Sequence, residues 1–535
     1  MDVSAVEKSS RLGAWHKQPL RDLLQDSDTF VTCAELVTSR GVISEQGGRR
    51  VLELARELAQ HPRVHVLSIT DNPGGNAMIS ADTLGTDLIS RGQEVIIHLS
   101  CKDWNRNALQ SRGWKLASEG FSNVLALSGD YPTDGYQGQA QPVFDIDSVG
   151  LLKMYSDMNE GIHVGMDGGE PTRIMEQTHF FLGAVVTNYK RYEREVMPQY
   201  FKLAKKIESG AAFIINQIGY DSRKQDELLR YMRQHHLEVP VMANAYVLSL
   251  TAARYFHSGH IPGCVVTDDL LALVEKQSTS PDRGKAFFLE FAAKQYAIAK
   301  GLGFRGVYLG GHLQYEDYEN ILQMTDSFAE NDWKDFAREI CYHQPDEFYL
   351  YEADPLTGLS SEVVNRQYAA SKTAESLRRL REHVPVTYKV DRFVHDKLFE
   401  KGSVGFSLGQ KISQSIENTS QGFKKVMHGA EQALKIVAFD CRDCGDCSLP
   451  DIAFLCPESQ CAKNQRNGPC GGTRQGACEV GDKDCIWALA YDRLKAYGEE
   501  EQMLDRPVIF KNGALQGTSA WANAFMERDY RARKP

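Results

Sequence analysis

No hydrophobic run in these 535 residues approaches the roughly 20 residues needed to cross a bilayer, so a membrane-spanning helix is excluded. A basic excess is also lacking. Sixty-one Lys and Arg stand against 71 Asp and Glu, a formal charge of −10, which argues against nucleic acid or an anionic membrane as partner; only local basic pockets stay open. The polar start around Lys8 to Arg11 leads into no signal-peptide core, and the expected address is the cytoplasm. No repeat of fixed period is present. Cysteine is sparse over most of the chain: Cys33, Cys101, Cys264 and Cys341 are scattered as reduced core thiols would be. The 42 % hydrophobic and 25 % charged content is that of a folded chain with a large core.

What is present is a regular alternation. Eight short apolar runs end in polar or small residues: Phe30 to Glu35, Val64 to Asp71, Glu94 to Cys101, Asn123 to Asp130, His179 to Val186, Ala212 to Gln217, Val239 to Val247 and Arg305 to Gly311. Between them, Ser80 to Gly92, Asn105 to Gly120, Glu193 to Gly210 and Ser222 to His236 carry apolar residues at three- and four-residue intervals, the period of surface helices. A helix after Gly284 sets Leu289, Ala292, Ala293 and Tyr296 on one face and is expected to end at a Gly301 cap. Strands alternating with helices predict an α/β fold, a (β/α)8 TIM barrel with its active face at the C-terminal strand ends. The expected division is an N-terminal extension (1–28), the barrel (29–316), a charged helical connector (317–430) broken at Asp354 to Gly358, and a small cysteine-rich metal-binding domain (431–535).

That last domain concentrates eight thiols in 45 residues: Cys441, Cys444, Cys447, Cys456, Cys461, Cys470, Cys478 and Cys485. Disulfides are a poor reading in a reducing compartment, which leaves metal. Three cysteines at two-residue intervals, with Cys456-Pro457 following, favour one or two [4Fe–4S] clusters, while zinc in a structural knob stays open because zinc tolerates many spacings. Gly468, Gly471 and Gly472 around Cys470 would let backbone N–H groups approach sulfur with either metal.

Among the strand ends, Glu35 would point into the barrel mouth, where partial desolvation raises a carboxyl pKa and makes a general acid near neutrality; a solvated or ion-paired carboxylate is the competing reading. Asp130 follows Gly129, which allows close approach to a flat ligand, though Gly-Asp is also ordinary turn chemistry. His98 within its strand reads as a satisfied core residue rather than a base. Gln217 offers donor and acceptor to a heterocycle edge, or simply terminates a strand.

In combination these segments resemble methylenetetrahydrofolate reductase. The resemblance is carried by Glu35, Ile69-Thr70-Asp71, His98-Leu99-Ser100-Cys101, the run from Gly120 through Asn123-Val124-Leu125-Ala126-Leu127 to Gly129-Asp130 and Pro132, and Gly210 to Gln217. The tail, with Asn467-Gly468-Pro469-Cys470-Gly471-Gly472 and Cys478-Glu479, is similar to the cysteine-rich domain of some bacterial members. By that resemblance FAD, in preference to FMN, sits in the mouth and passes hydride to 5,10-methylenetetrahydrofolate, giving 5-methyltetrahydrofolate, or the reverse. Glu35 would be the acid, Asp130 would lie between flavin and pterin, and Gln217 would hold the pterin. Thr70, His98, Leu127, Gly129, Asp130 and Lys206 would contact the flavin; for Lys206 the competing reading is a solvated helix lysine. Where the family carries a Tyr-Pro-Glu-x-His-Pro type of stretch, this chain reads Val185 to Arg191. The implied electron partner is NAD(P)H or a redox protein, and a homo-oligomer is compatible. Two other functions compete: a flavin-free pterin-binding methyltransferase, and a noncatalytic subunit that assembles a redox partner.

Overall fold

The computed structural model describes residues 15, 17–167, 170–261 and 263–532. The Lys8 to Arg11 stretch lies outside them. Eight strands close into an all-parallel barrel: β1 (Val31–Leu36), β2 (Val66–Ile69), β3 (Glu94–Ser100), β4 (Asn123–Leu127), then, after an antiparallel hairpin of β5 (His163–Asp167) and β6 (Glu170–Ile174), β7 (Phe181–Val186), β8 (Phe213–Asn216), β9 (Val241–Tyr246) and β10 (Gly306–Gly310). The order around the ring is β1-β10-β9-β8-β7-β4-β3-β2. Each of the eight barrel strands coincides with one of the eight apolar runs, β1 alone passing the end of its run by one residue, Leu36. Their polar ends, Asp71, Asp130 and Gln217, sit just past the strands, on the rim.

Period-two alternation sorts the strand residues into two cores. Val31, Cys33, Val66, Ile96, Leu125, Phe181, Phe213 and Met242 fill the barrel interior, while Ala34, Leu67, Ile97, Val124, Ala184 and Ile214 face the helical layer. The helix Leu20–Gln25 plugs the lower end of the barrel with Leu20, Leu23 and Leu24, so part of the N-terminal extension is core. The same parity brings Glu35, His98, Asn244 and Tyr308 to the upper interior, where apolar filling gives way to polar side chains.

Several expectations need correction. The helix Lys285–Leu302 is capped by Gly303 in the left-handed region (φ 97°), not by Gly301. Gly301 is inside that helix because Trp333 packs there: an added Cβ would lie 2.2 Å from the indole. The connector is not wholly helical. Its Asp354–Gly358 break is the turn of an antiparallel hairpin, β11 (Tyr351–Ala353) with β12 (Ser360–Val364). The expected boundary at 430 also fails as a break, since one helix runs through it from Gln421 to Phe439. Beyond that helix the chain forms only short turns and helices before Ile486–Lys495, which packs against the barrel helix Glu193–Glu208. Among the described residues no helix is long and apolar enough to cross a membrane.

Candidate active site and thiol clusters

A cavity of about 250 Å³ opens at the C-terminal ends of the barrel strands. Glu35, Asp130 and Gln217 all line it, with Thr70, His98, Leu127, Gly129 and Lys206. Glu35 stands on β1 directly above Cys33, and Gly310 beside it has no side chain to spare room for: a Cβ there would come within 2.7 Å of Glu35 Oε2. Burial pushes the Glu35 carboxyl up to about 7; the hydrogen bond donated by Tyr308 Oη to Glu35 Oε1 (3.1 Å) only partly opposes this. The group is thus poised to carry a transferable proton near neutrality. Burial pushes His98 down to about 4, leaving it neutral, and its Nε2 is shared between Ser68 Oγ (2.8 Å) and Tyr308 Oη (3.4 Å). That is a satisfied strand histidine on the cavity wall.

The remaining wall is fixed by main-chain contacts. Asp130 Oδ2 accepts from Gly74 N at 2.9 Å, which ties the loop after β2 to the loop after β4. Gly129 just before it has φ 89°, a conformation that favours glycine. Gln217 Oε1 accepts from Ile218 N at 2.9 Å, and its amide also borders Gly263. Lys206 is no solvated helix lysine. It is buried, its Nζ donates to Val185 O at 2.6 Å, and burial pushes its pKa down to about 7. Asn244 Oδ1 is buried without a partner on the same wall, an orphaned acceptor suited to an N–H of a bound ring.

The eight tail thiols fall into two groups of four, with no disulfide among the cysteines. Cys441, Cys444, Cys447 and Cys456 surround one small cavity together with Lys435 and Arg466. Cys461, Cys470, Cys478 and Cys485 form the second group: Cys461 feels the charge of Cys485 and Cys478, and Cys470 that of Cys461 and Cys485. Backbone N–H groups approach sulfur in both, Asp443 to Cys441 and Gly472 to Cys470 at 3.4 Å each, Gln465 to Cys461 and Val480 to Cys478 at 3.5 Å each. Among the described residues no three His, Cys, Asp or Glu side chains close to the spacing of a single-ion site.

The second group lies against the active site. Cys470, Gly471, Gly472 and Lys463 line the same cavity as Glu35 and Asp130. Lys463 Nζ donates to Gly129 O at 2.8 Å and pairs with Glu479, whose Oε1 is 3.6 Å from Cys470 Sγ. Burial alone would lower the Lys463 pKa, but Glu479, Cys470 and Asp130 outweigh it and hold the ammonium charged. Around it the tail is bonded to the rim. Lys202 Nζ donates to Gln465 Oε1 (3.1 Å) and Gly468 O (3.2 Å), Asn467 N to Asp147 Oδ2 (2.8 Å), and Lys190 Nζ to Gly471 O (2.5 Å) and Thr473 O. Lys190 belongs to the Val185–Arg191 stretch that departs from the family pattern; here that stretch holds the tail. Tyr308 could have been found as a polar ring at inward parity on the last strand. Lys463 could not, because the run between Cys461 and Cys470 has no periodicity that assigns it a face.

Residues 44–259 match the family model of methylenetetrahydrofolate reductase, and residues 420–512 match the model described as methylene-tetrahydrofolate reductase C terminal. No curated protein matches the chain. Solved structures similar to it include an uncharacterized protein from Clostridium thermocellum that binds two copies of 5-methyl-5,6,7,8-tetrahydrofolic acid, at 12% identity over 57% of this chain and 97% of that one, with a TM-score of 0.40. Another is 2,3-dimethylmalate lyase, a member of the PEP mutase/isocitrate lyase superfamily, in its trigonal form at 13% identity over 74% of this chain and 99% of that one, with a TM-score of 0.32. Its triclinic form matches at 14% identity over 54% and 78%, with a TM-score of 0.28.

Proposed function

We propose that this chain, whose barrel belongs to the methylenetetrahydrofolate reductase family and whose tail belongs to that family's C-terminal type, interconverts 5,10-methylenetetrahydrofolate and 5-methyltetrahydrofolate with a flavin in the barrel mouth. The observation that carries this reading is a carboxyl pushed up to about 7, Glu35, facing Asp130 and Gln217 across one cavity. The orphaned Asn244 Oδ1 and the buried Lys206 fit a polar ring and an anionic group respectively, so the donor set suits a flavin nucleotide. Bound FAD would supply the hydride from its N5.

In the reducing direction Glu35 gives its proton to the bridging N10 amine of the folate. The bond from N10 to the methylene carbon breaks, its electron pair stays on N10, and an N5 iminium remains. Asp130, a carboxylate on the same wall, stabilises that cation until its carbon accepts the hydride. Gln217 presents an amide to the pterin edge. Tyr308, hydrogen-bonded to Glu35, orients the acid.

Each group of four tail thiols would hold one [4Fe–4S] cluster, preferred to zinc for the two-residue spacing of Cys441, Cys444 and Cys447 with Cys456-Pro457 following. Clusters there would supply one-electron exchange with a redox protein, as an alternative to hydride from NAD(P)H. The test is anaerobic purification followed by an absorption spectrum, iron, zinc and acid-labile sulfide analysis, and oxidation of 5-methyltetrahydrofolate with an artificial acceptor. Flavin bands with folate-dependent bleaching are expected. A colourless protein that transfers the methyl group to a thiol or corrinoid would replace this reading with a methyltransferase.

A further inference from the structure

The helix Gln421–Phe439 is inside out. Its buried positions are Glu431 and Lys435, and Lys424 and His428 are partly covered as well. These polar groups have partners on the inner side: His428 Nε2 with Asp443 Oδ1 at 2.9 Å, Glu431 with Ser519 Oγ and Trp521 N, and Lys435 beside Cys441 and Cys447. The apolar residues Phe423, Met427, Ala430, Leu434 and Val437 point the other way, into water, Val437 with 90 % of its surface exposed. Their spacing alternates four and three residues, the 3.5-residue repeat of a coiled-coil seam.

The two preceding helices repeat the pattern. Val404, Leu408 and Ile412 are exposed at four-residue steps on Val404–Glu417, and Val386, Val390 and Phe393 are exposed on Val386–Leu398, each helix packing on the next. With Val394, Leu398 and Val426, exposed on the same helices, the apolar surface open to water adds up to on the order of 1,000 Å², spread over three helices. A monomer seldom keeps a patch beyond roughly 300–600 Å², and a stable interface covers about 800 Å² per partner.

We propose that this face is where a second copy of the chain docks, the Gln421–Phe439 helices pairing across a two-fold axis. A seam of 3.5-residue period is matched by a helix of the same period, and a two-fold axis presents the seam to itself. An anionic bilayer surface is the weaker occupant, since an interfacial helix needs basic residues flanking its apolar face. Of the three lysines on this helix, Lys424 and Lys435 are instead committed to Glu417 and Glu431 on the protein side, which leaves Lys425 as its one exposed lysine.

Sedimentation velocity of the full-length, metal-loaded protein over a wide concentration range tests this. Wild type should sediment at twice its 60.0 kDa chain mass. Leu434→Glu with Val437→Glu should halve that mass, with circular dichroism and metal content unchanged. Phe423→Gln with Met427→Gln, a milder pair, should weaken self-association in the same sense should the first variant fold poorly. Arg378→Glu, on an exposed helix outside the seam, should leave the dimer intact. The proposal is overturned by a wild type that stays monomeric throughout, by a dimer that survives both seam variants, or by a monomer that instead binds vesicles of anionic phospholipid.

Discussion

The barrel and the tail are held in shape by different forces. Inside the barrel the middle layers are apolar, with polar side chains gathered at the rim and at the lower end, where Asn123 and Glu94 bond each other beneath the plug helix. In the tail nearly half of the buried side chains are polar, and the segment docked on the barrel is the most polar part: Asp446, Lys463, Gln465, Arg466, Asn467 and Thr473 are all nearly inaccessible. Burying such groups is tolerable only when each is bonded, and here they are bonded to one another and to the barrel rim. The barrel is therefore stable by hydrophobic burial and can accommodate an energetically costly acid at its mouth. The tail depends on its dock and on whatever its thiols hold.

If the barrel is the autonomous partner, chemistry can be removed from it without loss of structure. Glu35→Gln keeps the shape and the Tyr308 contact but has no acidic proton. Turnover of methylenetetrahydrofolate should fall by about 10²- to 10⁴-fold, the range of general acid catalysis. Reduction of the flavin by NADH should persist. Stopped-flow measurement of the two half-reactions separates them, and an equal loss in both would reject the assigned role.

The same residue makes a smaller, opposite prediction for stability. The folded Glu35 carboxyl has its pKa raised to about 7 from an ordinary 4.5. Its contribution to stability is fully present below pH 4.5 and is lost as pH rises through 7, a change of up to about 3 kcal/mol. Urea midpoints at pH 5 and pH 8 should show this decline in wild type and a flatter profile in Glu35→Gln. Identical profiles would mean that the carboxyl is not desolvated. Above pH 7 turnover should fall as well, because the acid is then ionised.

How much of this was legible follows the same division. The barrel could be read from its sequence because two-residue alternation and turn residues specify strands locally, and Glu35 and Gln217 reach the rim through that alternation. His98 could be recognised as a satisfied strand residue. The dock could not be read, since Lys463, Asn467 and Lys190 acquire their meaning from residues hundreds of positions away. Nor could the capping glycine be chosen: Gly301 and Gly303 look alike until Trp333 is seen packed on the first. The boundary at 430 missed for a physical reason: the helix Gln421–Phe439 runs through it, and its polar face serves the tail.

Lys463 is where the comparison can be sharpened, since a tail residue there bonds the barrel's Gly129 carbonyl. Lys463→Met should weaken flavin or folate binding by roughly 10- to 100-fold, on the scale of one charged hydrogen bond of roughly 1.5–3 kcal/mol, and Lys463→Arg should restore part of it. Equilibrium titration of the apoprotein with FAD measures this. Unchanged affinity would make the tail a neighbour of the site rather than a part of it.

The smallest effect distinguishes one thiol centre from two. Cys444 belongs to the group remote from the barrel, so Cys444→Ser should lower iron and acid-labile sulfide by about half, with one group still loaded. The barrel dock, made by residues 463–476 around the other group, should survive, and flavin content with it. Complete loss of iron would mean that the eight thiols act as a single cooperative unit. Unchanged iron would remove Cys444 from the ligands. Loss of flavin alongside half of the iron would show that the barrel mouth leans on the remote group too, and the contrast between a self-sufficient barrel and a dependent tail would fail.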